Sequence, residues 1–161
     1  MKAVAKFEKV SQKQFEDAFK EYPSAEYNNI KLPKRATTGS AGYDFYSPIA
    51  FTLEPHETIK FPTGIRCKID DGYVLSIYPR SGLGFKYRLR LDNTVGIIDS
   101  DYYNSDNEGH IFAKITNEGD KPIQVNTGDA FCQGILTQYF ITYDDETIGV
   151  RNGGFGSTDK S

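Results

Sequence analysis

The sequence predicts an all-β protein with one short N-terminal helix, and three observations predict it. Aromatic residues make up 14% of the 161 positions, with eleven Tyr and eleven Phe, and such residues favour pleated, half-buried surfaces. Fifteen Gly and seven Pro punctuate the chain, as short strands joined by turns require. From Ile30 onward, short apolar or alternating runs follow one another with turn residues between them, the pattern of a sandwich, jelly roll or barrel.

Taken in order, residues 3 to 10 (AVAKFEKV) alternate well enough for a strand. Ser11 followed by Gln14 reads as a capping box. Phe15, Ala18 and Phe19 then form an apolar stripe at helical spacing, and Pro23 stops it. A helix over about residues 12 to 22 follows, the only one of any length that the pattern supports. Strands are expected at YVLSIYP (73 to 79), HIFAKIT (110 to 116) and AFCQGILTQYF (130 to 140). Turns are expected at Leu53-Glu54-Pro55, Asp70-Asp71-Gly72, Asn117-Glu118-Gly119-Asp120 and Asn126-Thr127-Gly128-Asp129. No internal repeat and no second domain is visible, so residues 1–161 read as one domain. Within it, 1–29 hold the first strand and the helix, and 147–161 form a C-terminal arm. That arm, TIGVRNGGFGSTDKS, carries four glycines and few aliphatics, too little to build a core. Frayed tails are common at termini. A lone Phe155 between glycines, followed by Ser157 and Thr158, suits instead a flexible arm that closes over a ligand.

The net charge of −3 provides no general attraction to nucleic acid or to an anionic membrane, so any polyanion has to be held by a local site. No apolar run approaches the ~20 residues of a membrane span, and the start lacks the apolar stretch of a secretory signal. Cys67 and Cys132 match no metal-ligand spacing and read as reduced, buried thiols. The expectation is a cytoplasmic protein with no nucleic-acid or membrane partner.

Four stretches carry chemistry. PRSGLGFKYRL (79 to 89) sets Arg80, the Ser81 hydroxyl and the close-approach glycines Gly82 and Gly84 after an apolar strand, the makings of a phosphate cradle or of an ordinary surface turn. In LDNTVGIIDSDYYN (91 to 104), Asp99 ends a buried-looking strand, where a carboxylate serves as general base or simply as a turn residue. Asn93 offers a carbonyl and an amide to a base edge, and Tyr102 a flat face, though core packing is the default role of a Tyr. Gln133 in GDAFCQGI is a phosphate donor or a solvent-facing strand residue. RNGGFGST (151 to 158) adds a guanidinium, two hydroxyls and one aromatic. Together these are the parts of a nucleoside triphosphate enzyme, with base, sugar and scissile bond undecided.

Five motifs then resemble the homotrimeric dUTPase family, in the family order: AGYDFYS (41 to 47), PRSGLGFK (79 to 86), NTVGIIDSDY (93 to 102), GDAFCQ (128 to 133) and RNGGFGST (151 to 158). The resemblance implies a jelly-roll-like (β-clip) homotrimer with a swapped C-terminal arm, hydrolysing dUTP to dUMP and pyrophosphate with Mg²⁺. It implies Asp99 as the catalytic base, Tyr102 under the deoxyribose, and Asn93 with the backbone of Gly96, Ile97 and Ile98 around uracil. Arg80, Ser81, Gly82 and Gln133 would hold phosphate oxygens. Arg151, Gly156, Ser157 and Thr158 would take the γ-phosphate with Phe155 stacked on the base, and Asp44 would reach the metal through water.

The chain departs from the family pattern in places. Tyr103 stands where Arg is common, residues 104–108 are inserted before Gly109, Arg151 lies closer than usual to the GGFGST run, and Asp159 stands where Gly is frequent. The helix near 12–22 is an insertion relative to compact members. Two rival readings share the fold: a dCTP deaminase, whose proton-shuttling glutamate would fall where HIFAKITN carries Lys114, and a nucleotide-switched regulatory protein with a partner protein.

Overall fold

A computed structural model describes residues 1–151 and Gly153. The strands are β1 (Ala5–Lys9), β2 (Lys34–Arg35), β3 (Tyr43–Tyr46), β4 (Phe51–Leu53), β5 (Thr58–Pro62), β6 (Ile65–Ile69), β7 (Tyr73–Pro79), β8 (Leu89–Leu91), β9 (Gly96–Ile98), β10 (Phe112–Asn117), β11 (Ile123–Val125) and β12 (Ala130–Gln138). Two helices interrupt them, α1 (Gln12–Ala18) and α2 (Ser81–Tyr87), and 3₁₀ turns span Tyr27–Asn29 and Ser100–Asn104. The protein is mostly β, as its composition predicts. Every strand and turn singled out above appears, and β7 coincides with YVLSIYP.

The largest sheet has the order β2-β3-β12-β7-β9, beside β5-β10-β8 and the pairs β1-β6 and β11-β4. Alternation sorts the side chains. In β6, Ile65, Cys67 and Ile69 point inward while Arg66 and Lys68 face out. The core joins Phe45, Leu75, Ile98, Ile115 and Phe131, with Phe61 and Phe131 at 5.1 Å between ring centroids. Each such side chain contributes roughly 1.5–3 kcal/mol by burial. Both cysteines are buried and unpaired, and burial pushes the Cys67 thiol up to about 12. Among the described residues no helix is long and apolar enough to cross a membrane.

Three local expectations need correction. The predicted helix is shorter, ending at Ala18, with Phe19–Tyr22 continuing only as a turn closed by Tyr22 N–H donating to Phe19 O at 2.8 Å. The capping box is half formed. Ser11 Oγ accepts from Gln14 N–H at 3.1 Å, but the Ser11 N–H donates to Glu108 Oε1, at 2.8 Å, instead of to the Gln14 side chain. A carboxylate from the 104–109 region outcompetes a neutral amide for that donor. Finally, PRSGLGFK is not a turn: α2 is as long as α1, seven residues. Leu83 and Tyr87 pack on the core, and Arg88 ends the helix in the left-handed conformation at φ 54°. Tertiary packing overrides the low helix propensity of Gly82 and Gly84.

Candidate active site

The predicted site residues gather at the C-terminal end of β7 and along β9, which runs antiparallel to β7 and carries the acid toward its N-terminal end. At the C-terminal end, β12 brings Gln133 opposite both Asp44 on β3 and Tyr78 on β7. Arg80, one residue beyond β7, reaches back so that its Nε lies 3.0 Å from Asp44 Oδ1 and its Nη1 donates to Ala130 O at 3.5 Å. Gln133 Nε2 donates to Pro79 O at 3.2 Å. Its side chain lies so close over Gly42 that any Cβ there would collide with Gln133 Oε1. Ser81 and Gly82 begin α2, where backbone N–H groups have no intrahelical partner. A groove of about 550 Å³ opens here, lined by Arg80, Ser81, Gly82, Lys86 and Asp129 among others. A half-exposed guanidinium oriented by a carboxylate, a hydroxyl and free donors can together serve as an anion receptor. Lys86 belongs to it as well. Sequence reasoning did not name it, although its position one helical turn after Gly82 was a signal once the segment is read as helical.

Alongside, β9 pairs antiparallel with β7, Gly96 opposite Ile77 toward the C-terminal end and Ile98 opposite Leu75 toward the N-terminal end. The hairpin before it is closed by Thr94 N–H donating to Leu91 O and Val95 N–H donating to Asn93 O, with Thr94 at φ 65°. Asn93 and Ile97 are exposed, Gly96 and Ile98 buried. Asn93, Gly96 and Ile98 line a second groove of about 600 Å³ whose walls include Phe45, Ile77, Ile111 and Ala113. Asp99 follows β9 in extended conformation and starts the 3₁₀ turn that carries Tyr102. Its carboxylate, 45% exposed, accepts from Arg151 Nη2 at 2.6 Å, and Arg151 Nε lies 2.9 Å from Asp101.

Tyr102 is buried at 2% exposure. Its hydroxyl donates to His110 O and accepts from Asn107 Nδ2, while the Arg151 guanidinium stands 5.8 Å from its ring centroid. Burial raises its pKa, so the phenol stays protonated and keeps donating. Phe155, Gly156, Ser157 and Thr158 lie outside the described residues.

The antiparallel register separates Asp99 from the Arg80 cluster. Asp99 falls beside Val74 and Arg80 lies six residues further along β7, which at the rise of a strand is roughly 20 Å. Within one chain, the acid and the anion receptor do not meet.

Lys114, on β10, lies 3.2 Å from Asp92 through its Nζ, so a cation occupies the position that a deaminating glutamate would need.

A cationic groove, a polar hairpin and a half-exposed strand-end acid on a mostly β frame are chemically suited to a phosphorylated ligand. Comparison with known proteins agrees. The family profile described as dUTPase matches residues 28–159, and the chain belongs to that family. It is 40% identical over 132 residues to the deoxyuridine 5'-triphosphate nucleotidohydrolase of Lactococcus lactis, covering 80% of this chain and 88% of that one. It is 41% identical over 139 residues to the enzyme of the same name from Finegoldia magna, covering 81% and 93%. The crystal structure of dUTPase from Streptococcus mutans superposes with a TM-score of 0.66 at 31% identity, over 84% of this chain and 97% of that one. A variant dUTPase from phage phi11 of S. aureus, described as revealing coordination of a structural Mg(II) ion, has the same TM-score at 20% identity, over 90% and 97%; that likeness concerns the fold.

Proposed function

We infer that the chain hydrolyses dUTP to dUMP and pyrophosphate, removing a source of uracil in DNA and supplying dUMP for dTMP synthesis. The observation that carries this reading is Asp99: a half-exposed carboxylate at the end of β9, one turn from Tyr102 and one strand from the Asn93 hairpin. Asp99 takes a proton from a water as that water attacks the α-phosphorus. The new O–P bond forms, the α–β bridging bond breaks, and pyrophosphate leaves. Arg80, Ser81, Gly82 and Gln133 neutralise phosphate oxygens, and Lys86 extends that donor set. Asn93 with the backbone of Gly96, Ile97 and Ile98 reads uracil, and Tyr102 lies under the deoxyribose. Arg151, Phe155, Gly156, Ser157 and Thr158 close the site, Arg151 leaving the Asp99 of its own chain for the γ-phosphate held by a neighbour as they do.

Mg²⁺ fits the donor set. Such an ion is carried mainly by the triphosphate and its own waters. Asp44, already oriented by Arg80, would reach it through water, and the bound ion would neutralise phosphate charge.

The assembly belongs to the same reading. Because Asp99 and Arg80 sit roughly 20 Å apart along β7, a complete site takes its acid from one chain and its anion receptor from another. After β12, Phe140, Ile141, Tyr143, Ile148 and Val150 are all at least 72% exposed, an apolar strap that a lone chain leaves in water. A jelly-roll homotrimer, each chain a single β domain with residues 147–161 as an arm swapped onto a neighbour, completes the sites and covers that strap. Reduced, buried Cys67 and Cys132 suit the cytoplasm.

Pyrophosphate release from dUTP, dCTP, dTTP and UTP in the presence of Mg²⁺ tests the activity. Release from dUTP alone is expected. Ammonia from dCTP, or inertness toward dUTP, contradicts the reading.

A further inference from the structure

The 3₁₀ turn that carries Tyr102 is gripped from behind by the N-terminal strand and helix, both of which precede residue 28, where the family match begins. The grip starts from a strand pairing. In the β1–β6 ladder Glu8 lies opposite Arg66, both on the outer face. Tyr103, directly after Tyr102, inserts between them. Its hydroxyl donates to Glu8 Oε2 at 2.6 Å, its ring lies 3.6 Å from the Arg66 guanidinium, and its carbonyl accepts from Arg66 Nη2 at 2.8 Å. Cation, ring and carboxylate thus hold one residue through three different interactions. The Tyr103 hydroxyl and Lys6 keep the Glu8 carboxyl below its ordinary range, so the acceptor is ionised at neutral pH.

A second grip acts on the inserted residues. Glu108 accepts from the Ser11 N–H and from its hydroxyl, and lies 3.8 Å from Arg66 Nη1. Gly109 then crosses the backbone of the turn at φ 71°, where a Cβ would stand 2.7 Å from Tyr102 O and Tyr103 Cα. Only glycine permits that approach. The crossing delivers Asn107 and His110, whose Nδ2 and carbonyl hold the Tyr102 hydroxyl. The His110 ring is itself tied to this region: its Nε2 accepts from Gly64 N–H at 2.9 Å, the Gln14 amide lies 3.4 Å from its Nδ1, and Phe19 packs 6.1 Å from its centroid. Both ends of Tyr102, its main chain and its hydroxyl, are therefore fixed by groups anchored in residues 8–19 and β6.

We propose that the N-terminal strand and helix position the sugar platform, with Glu8, Arg66 and Tyr103 as positioning residues that set discrimination between deoxyribose and ribose through Tyr102. This rests on the reading of Tyr102 as the surface under the sugar. The departures from the family pattern, Tyr103 and residues 104–108, are on this account the matching half of the N-terminal insertion.

The test measures kcat and KM for dUTP and UTP on the full chain carrying Arg66→Met, Tyr103→Phe or Lys13→Ala. Each is assayed at the same margin below its own thermal midpoint. Arg66→Met is expected to lower the ratio of kcat/KM for dUTP over UTP on the order of tenfold. Tyr103→Phe, which keeps the stacked ring and loses only the bond to Glu8, should lower it less. Lys13→Ala, which breaks only the exposed pair with Asp17, should leave it unchanged. A purely structural brace would depress both substrates equally and leave the ratio alone, and that result in Arg66→Met and Tyr103→Phe overturns the proposal. If Arg66→Met does not fold, Tyr103→Phe decides alone. Tyr102→Ala separates the two layers. A collapsed ratio there beside unmoved brace variants rejects only the brace, and an unmoved ratio in Tyr102→Ala rejects the platform and the brace with it.

Discussion

The two ends of β7 solve opposite problems. At its C-terminal end, Arg80 is already paired with Asp44 and flanked by Gln133, so the anion receptor is oriented before any ligand arrives. At its N-terminal end, Asp99 is half-exposed and paired with Arg151, a residue near the end of the chain. On the proposed reading the receptor is pre-organised by strands, while the acid is gated by the arm that carries this arginine. Pre-organisation lowers the cost of ordering donors around a triphosphate. On that reading, gating keeps the base paired until the substrate competes for the arginine.

The largest expected effect breaks the acid end. Asp99→Asn should lower turnover by about 10³-fold while dUTP affinity, measured by calorimetry with a non-hydrolysable analogue, stays within a few-fold. Near-normal turnover would remove Asp99 from its role. At the receptor end, Arg80→Ala should cut kcat/KM on the order of a hundredfold, mostly through KM. It removes a charge-assisted donor and leaves Asp44 facing phosphate uncompensated. Ending the chain before Arg151 should cost turnover about tenfold or more yet leave the oligomer intact by sedimentation; unchanged kinetics would dismiss the gate.

The smallest effect on activity at neutral pH concerns stability. Burial lowers the His110 pKa from 6.5 to about 4, against an opposing pull from Glu108. The unfolded chain then binds the extra proton first, so stability is complete above pH 6.5 and declines as the pH falls toward 4. The loss is about 3 kcal/mol across that window, with no further loss from this group below it. Chemical denaturation from pH 7 to 4 should show that slope in the native chain and a flatter one in His110→Gln.

Much of this was legible beforehand. β7 and β12 announce themselves because apolar runs bounded by Gly, Asp and Asn leave few alternatives. The half-site residues follow from motif order. What stayed hidden depends on distant partners. α2 was unreadable because Gly82 and Gly84 argue against a helix that packing of Leu83 and Tyr87 enforces. The brace joins Glu8, Arg66, Tyr103 and Glu108 across as many as 97 positions, as in the Ser11–Glu108 bond, and no periodicity encodes the register of β1 on β6. The Arg151–Asp99 pair was equally invisible, since a base assigned to a water and a cation assigned to the γ-phosphate do not announce a contact with each other.

Mixing tests the separation of the two ends most directly. Asp99→Asn and Arg80→Ala chains, each nearly inactive alone at dUTP well below the KM of the native chain, would be unfolded together, refolded and assayed at that concentration for pyrophosphate release. If sites are shared between chains, about a quarter of them regain both an intact acid and an intact receptor under random pairing, and activity returns to that level. A mixture no more active than its components would place the whole site within one chain and contradict the account.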